Sequence, residues 1–382
     1  MVRNFKSGTK KMIFSFLFLL SFLIVINCNS QSDNSEGNSN PDNYRDKKAK
    51  NIILMIGDGM GVSHIYAGIT ANKGHLNIEK LMDIGFSKTH SADNYITDSG
   101  AGGTAIAIGY KTFNAGIGVD ADTIPRETIL EYAEENGKAT GLVATSAITH
   151  ATPASFIAHQ PSRYLYEEIA GDFLKTDIEV FIGGGLNHFN KRKDDVDLTV
   201  ALKDKGYQLV YELEGLKKIN SGKLAGLLYE DAPPKYSEGR GDMLPVASMK
   251  AIEILSKDKD GFFLMIEGSQ IDWAGHANDT KYIVDEMLDF DRTIGKVLEF
   301  AEKDGNTLVI VTADHETGGM GLNNGDLEKG EVIAKYTSGN HTGVMVPVFA
   351  YGPGSDNFRG IYENTGIFYK MMEAFGFSIN EN

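Results

Sequence analysis

Carboxylates and imidazoles gather behind three short apolar runs of this sequence. The run 51–56 leads into Gly57-Asp58-Gly59. The run 262–266 leads into Glu267-Gly268, with Asp272 and His276 soon after, and the run 307–312 leads into Ala313-Asp314-His315-Glu316. Acids buried at strand ends need compensating partners, and none stands out in the neighbouring sequence. Divalent cations of hard-to-borderline character supply such compensation. An Asp-Gly after a strand is by itself a turn, and a lone Asp-His pair is an ordinary loop, so the weight lies in the three occurring together. A fourth stretch, Thr97-Asp98-Ser99-Gly100-Ala101-Gly102-Gly103-Thr104-Ala105, passes from polar to small residues and puts Ser99 at the start of a helix. Backbone N–H groups and the helix dipole favour an anion there, although Ser99 taken alone reads more simply as a helix cap. A serine hydroxyl becomes a nucleophile only when a base or a metal removes its proton. No GxSxG elbow surrounds Ser99, so a Ser-His-Asp hydrolase is not indicated.

The elements that must carry these residues alternate. β-rich runs fall at 51–56, 141–145, 179–182, 262–266, 307–312 and 346–350, several of them apolar without alternation, as in strands buried on both faces. Between them, Ile129 and Ala133 fit a helix face closed by Gly137. Ile283, Met287, Phe290, Ile294, Val297 and Ala301 fit a longer helix that starts after Asp279-Thr280 and stops near Gly305. Alternating strands and helices predict an α/β fold, a three-layer sandwich around a central, mostly parallel sheet. Ligands in such folds bind beyond the carboxyl ends of the strands, which is where the acids and imidazoles stand.

Composition narrows the rest. The 382 residues are 42% hydrophobic and 23% charged, an ordinary globular balance, and the net charge of -15 argues against a nucleic-acid-binding surface. One cysteine excludes an internal disulfide and a thiolate zinc cluster. That cysteine, Cys28, ends a basic start (Arg3, Lys6, Lys10, Lys11) and an apolar run over 12–26, the anatomy of a secretory signal too short for a transmembrane helix. The end of the run resembles the lipobox of a bacterial lipoprotein, with Asn27 in place of the usual small residue. The expectation is an exported protein, in the periplasm or cell envelope, meeting the membrane only through an N-terminal lipid on Cys28. The division expected is a signal over 1–28, a polar tether over 29–46 and one catalytic domain over 47–382, with a peripheral excursion at 183–245.

Six ordered segments make the chain resemble the alkaline phosphatase family. They are Asp58-Gly59-Met60-Gly61; Thr97-Asp98-Ser99; His150-Ala151-Thr152-Pro153-Ala154 followed by Ser162-Arg163; Glu267-Gly268-Ser269-Gln270-Ile271-Asp272 with His276; Thr312-Ala313-Asp314-His315-Glu316-Thr317-Gly318-Gly319; and Asn340-His341-Thr342-Gly343. The resemblance implies hydrolysis of phosphate monoesters through a phosphorylated Ser99. It implies a zinc on Asp58, Asp314 and His315, a second zinc on Asp272, His276 and His341, and a magnesium site shared by Asp58, Thr152 and Glu267 beside His150. Arg163 would grip two phosphate oxygens, a task suited to its planar fork. Paired zinc ions can clamp the attacking and leaving oxygens of an in-line displacement, so an acidic protein can still hold an anion. The partners implied are small phosphorylated substrates of broad range, and a homodimer is left open.

Two positions depart from common family patterns. His150 stands where some members have Asp, which removes a carboxylate from beside the third metal and lowers the expected magnesium occupancy. Trp273 replaces a Lys or His, which implies weaker binding of product phosphate and makes Trp273 a candidate substrate contact. Gly100, Gly102 and Gly103 at the start of the Ser99 helix suggest a mobile nucleophile segment. His64, His75, His90, His159 and His188 are expected in solvated positions. The alternatives are a phosphodiesterase or nucleotide pyrophosphatase of the same superfamily, or a lipid-anchored phosphate- or zinc-capture protein without turnover.

Overall fold

The computed structural model describes residues 47–378. The signal, Cys28 and the tether lie outside the described residues. Fourteen strands follow in chain order: β1 (Asn51–Gly57), β2 (Asp83–Lys88), β3 (Ala139–Ala147), β4 (Val180–Gly184), β5 (Gln208–Val210), β6 (Leu224–Leu227), β7 (Phe262–Gly268), β8 (Thr307–Thr312), β9 (Glu316–Thr317), β10 (Met320–Asp326), β11 (Glu331–Tyr336), β12 (His341–Thr342), β13 (Val346–Tyr351) and β14 (Gly360–Glu363). Ten of them form one sheet in the order β14-β2-β13-β8-β1-β7-β3-β4-β6-β5. Every pairing in it is parallel except the two made by β13.

The strands at the centre have no exposed residue, which explains why they lack alternation. Successive residues still serve opposite faces. Ile52, Leu54 and Ile56 of β1 join one apolar cluster with Phe263, Met265, Leu308 and Ile310, whereas Ile53 and Met55 join a second with Leu264, Ile266, Val309 and Val311. Helices cover both faces, giving the three layers expected. The longest, Thr280–Asp304, starts where the Asp279 carboxylate accepts from the N–H groups of Lys281 and Tyr282, and stops at Gly305 with φ +66. Its six expected core residues are all buried. The helix Ile129–Glu135 ends at Asn136, with Gly137 in the left-handed region just beyond.

Four sheet strands escaped the sequence reading. β2 reads Asp-Ile-Gly-Phe-Ser-Lys and is partly exposed on one side, while β5, β6 and β14 are only three or four residues long. The excursion at 183–245 therefore begins inside β4 and lays β6 and β5 along the sheet edge. Between Gly319 and His341 the chain makes a single hairpin, β10–β11.

The sheet order positions the chemistry. β8, β1, β7 and β3 are adjacent, and their register aligns Ile56 with both Thr312 and Glu267, and Glu267 with Ala144. Residues just past these strand ends therefore converge from four separate parts of the sequence.

Candidate active site

Asp58 follows β1, Glu267 lies near the end of β7, Asp314 and His315 follow β8, and all four are buried. The helix Gln270–His276 brings Asp272 and His276, and His341 arrives on β12, which pairs with β9. His150 stands just before, and Thr152 within, the short helix Ala151–Ala154 that follows β3. Three groups of potential ligand atoms each lie within 4.8 Å: Asp58, Asp314 and His315; Asp272, His315 and His341; and Asp58, His150 and Glu267. His276 closes on the second group, its Nε2 being 3.4 Å from Asp272 Oδ2 and 3.2 Å from His341 Nε2. The Thr152 hydroxyl donates to Asp58 Oδ2 at 3.4 Å.

Electrostatics mark this as a cage for cations. Burial, reinforced by Asp314, pushes the Asp58 carboxyl well above its usual range. Burial also pushes Asp314 up to about 6, with Asp272 adding to the shift, and Glu267 up to about 7. Burial opposes ionisation of Asp272 as well, but hydrogen bonds from His276 and His341 hold it well below the carboxylate range. The bond to Asp272 in turn raises His276 to about 9. Asp58 Oδ1, Asp314 Oδ2 and Glu267 Oε1 are buried with no hydrogen-bond partner, a costly arrangement unless a cation accepts their lone pairs. The imidazoles are oriented for the same task. Nδ1 of His276 faces the Gly339 carbonyl at 2.8 Å, Nδ1 of His341 faces the Thr97 carbonyl at 2.9 Å, and Nδ1 of His315 faces the Thr317 hydroxyl at 3.2 Å. Each Nε2 faces the carboxylates, placed so that a bound cation would take its lone pair, the usual outer-shell device for a ligating histidine. The residues present thus fit divalent cations.

Ser99 sits at the edge of this cage. It is the first residue of the buried helix Ser99–Ile108, and its Oγ lies 3.3 Å from His315 Nε2. The helix cap is Asp98, not Ser99: Asp98 Oδ1 accepts from Ala101 N at 2.9 Å and from Ala115 N at 3.0 Å. Asp98 Oδ2 accepts from Arg163 Nη1 at 2.9 Å, and Arg163 Nη2 points at His150 Nε2 at 3.4 Å. Burial, with Arg163 adding, lowers His150 to about 3, so its imidazole is neutral. Trp273 packs edge-on to His150, ring centres 5.9 Å apart.

The glycines of the Ser99 helix have a different explanation from mobility. A Cβ on Gly102 would stand 3.0 Å from the Asp314 carbonyl oxygen, one on Gly103 3.1 Å from Ser155 Oγ, and one on Gly100 3.2 Å from Ala115 Cα. They let a buried helix lie directly against its neighbours.

Three contributors were not assigned from sequence. Asp98 could have been found from the cap preference of an Asp before small residues. Thr317, whose hydroxyl also donates to Asp272 Oδ1, and Ser146, which donates to Glu267 Oε2 at 3.3 Å, left no local signal. His64 is buried rather than solvated, its Nδ1 accepting from Gly61 N at 3.1 Å. His159 and His188 are half-buried and hydrogen-bonded, to Glu131 and Thr149 respectively.

The family model described as Alkaline phosphatase matches residues 49–335 and 331–377. Alkaline phosphatase 3 of Bacillus subtilis (strain 168) is 36% identical, over 87% of this chain and 90% of its own length. The alkaline phosphatase of Escherichia coli (strain K12) is 34% identical, over 88% of each chain. The alkaline phosphatase of the Antarctic bacterium TAB5 superposes with a TM-score of 0.84 at 46% identity, covering 87% of this chain and 100% of its own. A histidine-to-aspartate variant of that enzyme, with Mg bound in its M3 site, gives a TM-score of 0.82 at 44% identity, covering 87% of this chain and 99% of its own. The match runs through every strand that carries a clustered carboxylate or imidazole, and the chain belongs to the alkaline phosphatase family of metal-dependent phosphate monoester hydrolases.

Proposed function

We propose that this chain cleaves phosphate monoesters by way of a phosphoseryl intermediate on Ser99, with Asp58, Asp314 and His315 holding one zinc and Asp272, His276 and His341 a second. The observation that carries this reading is Ser99 Oγ at 3.3 Å from His315 Nε2, on the rim of buried carboxylates whose oxygens lack partners. When bound, the cations supply Lewis-acid charge and lower the pKa of coordinated oxygen. Ser99, held at the start of its helix, forms the new O–P bond while the bond from phosphorus to the leaving alcohol breaks. The first backbone N–H groups of the helix and the Arg163 guanidinium hold the non-bridging oxygens. Asp98 keeps Arg163 turned toward them. A water then displaces Ser99 from phosphorus, releasing inorganic phosphate and restoring the hydroxyl.

Asp58, Thr152 and Glu267, with His150 beside them, form the site proposed for magnesium. The relative with Mg in its M3 site supports that assignment, and the neutral imidazole of His150 predicts weaker magnesium affinity than a carboxylate gives. Trp273 is proposed as a wall of the substrate cleft. Small phosphorylated compounds of broad range are the substrates proposed, met in the cell envelope by an exported protein tethered through Cys28. The test compares aryl phosphate with bis-aryl phosphate on the metal-loaded protein, its chelated form and Ser99→Ala. Monoester turnover that needs both metal and Ser99, with phosphate still bound by Ser99→Ala, is expected. Faster diester cleavage, or turnover surviving Ser99→Ala, overturns the reading.

A further inference from the structure

The ligands proposed for the two zinc ions are carried in different ways. Asp58, Asp314 and His315 directly follow central strands, and their side chains have no exposed surface. Asp272 and His276 ride instead on the seven-residue helix Gln270–His276, and His341 on the two-residue β12, all outside the ten-stranded sheet. The His276 side chain is 39% exposed, so this is the open side of the cage. A helix of two turns has little rigidity of its own, and its two ligands need an outside anchor.

Gln270, the first residue of that helix, is fully buried. Its carboxamide binds three separate elements. Nε2 donates to the Thr145 carbonyl of β3 and to the Pro233 carbonyl of the 183–245 excursion, each at 2.9 Å. Oε1 accepts from the Tyr282 hydroxyl of the helix Thr280–Asp304 at 2.7 Å. The Pro233 side of this anchor is itself braced on the long helix. The buried Arg240 guanidinium pairs with Glu286 and Asp289 there and donates to the Pro234 carbonyl at 3.3 Å, while Glu286 accepts from Tyr236 N at 2.9 Å. Three anchoring points fix the rotation of the short helix as well as its place. Rotation matters because Asp272 and His276, four residues apart, must face the cage together.

We propose that Gln270 is a positioning residue for the second zinc, holding Asp272 and His276 in the orientation that retains it, with the excursion as part of the brace. This rests on the two-zinc reading above. Gln270 acts through the helix, so the first zinc, whose ligands stand at strand ends, does not depend on it.

The experiment equilibrates metal-loaded enzyme with increasing chelator at fixed magnesium and measures the zinc retained. The wild type should lose zinc in two steps, and Asp272→Asn, which lacks a ligand of the second site only, identifies the step belonging to it. Gln270→Met, of similar length without the carboxamide, is expected to weaken that step at least about tenfold and to leave the other within about twofold. Excess zinc should bring its aryl phosphate turnover back to within about threefold of the wild type. An unchanged second step, an equal weakening of both steps, or turnover that stays low with both zinc ions bound overturns the proposal. If Gln270→Met does not fold, Tyr282→Phe removes only the bond to Oε1 and should weaken the same step about three- to fivefold, and no change there overturns the proposal equally. A wild type that holds fewer than two zinc ions would instead overturn the two-zinc reading itself.

Discussion

Asp98 joins two jobs that substitution can separate. One oxygen caps the Ser99 helix through Ala101 N and ties down Ala115 N, while the other holds Arg163 at 2.9 Å. Asp98→Ala removes everything. A lost cap costs about 1 kcal/mol, the second bond to a carboxylate about 1.5 kcal/mol, and a part-exposed ion pair up to about 1 kcal/mol, so about 3 kcal/mol is expected. Asp98→Asn keeps an oxygen for the two backbone N–H groups but turns a donor toward Arg163, costing about 1 kcal/mol. At about 2 °C per kcal/mol for a chain of this size, the thermal midpoint should fall by about 6 °C in the alanine variant and about 2 °C in the asparagine variant. Both variants free the Arg163 side chain, and immobilising it again costs about 0.5–1.5 kcal/mol. Phosphate inhibition should therefore weaken by about three- to tenfold in both. Although burial opposes it, Arg163 and the two backbone donors hold the Asp98 carboxyl below its usual range. Its stabilising contribution is thus present at neutral and alkaline pH and lost only as the solution is acidified through the folded-state pKa. The assays are differential scanning calorimetry and phosphate inhibition of aryl phosphate hydrolysis, both on metal-loaded enzyme. Equal midpoints for the two variants would refute the capping role. Unchanged phosphate inhibition would refute the hold on Arg163.

Two other measurements bear on the same reasoning. Gly102→Ala puts a Cβ 3.0 Å from the Asp314 carbonyl oxygen, so the steric cost of about 1–3 kcal/mol should outweigh the roughly 1 kcal/mol helix gain and kcat/KM should fall at least about tenfold. Wild-type turnover in this variant would show that the close approach does not matter. Glu179 accepts from Thr140 N at 2.6 Å, and burial pushes its carboxyl up to about 7. A raised carboxyl pKa means that the folded state binds the proton more tightly, so this group's contribution falls as pH rises from about 4 to about 7. Denaturation at pH 5 and pH 8 should then show Glu179→Gln gaining on the wild type at the higher pH. A difference independent of pH would contradict the shift.

Much of the fold and part of the site were legible in the primary structure, for identifiable reasons. β1, β7 and β8 announce themselves because burial on both faces demands unbroken apolar runs, and the long helix because one face repeats near 3.6 residues between an Asp and a Gly. β2 is quiet because its half-exposed face mixes Asp, Gly and Lys with its apolar residues, and β5 and β6 are too short to establish a period. Asp58, Asp314, His315, Asp272 and His276 could be picked out because they follow such runs. Arg163, Thr152 and His341 stand out through family resemblance rather than local pattern.

The order of strands came only with the tertiary structure. Sequence states that acids follow β1, β7 and β8, but adjacency of β8, β1, β7 and β3 is what brings their ends within reach of one another. The same holds for contacts with no local periodicity: Thr317 between Asp272 and His315, Asp98 on Arg163, and Gly102 against Asp314. Such contacts join residues far apart in the chain, and no neighbour in the sequence reports on them. Side-chain type and spacing therefore determined which groups could do the chemistry, while packing of the sheet decided how far apart they stand.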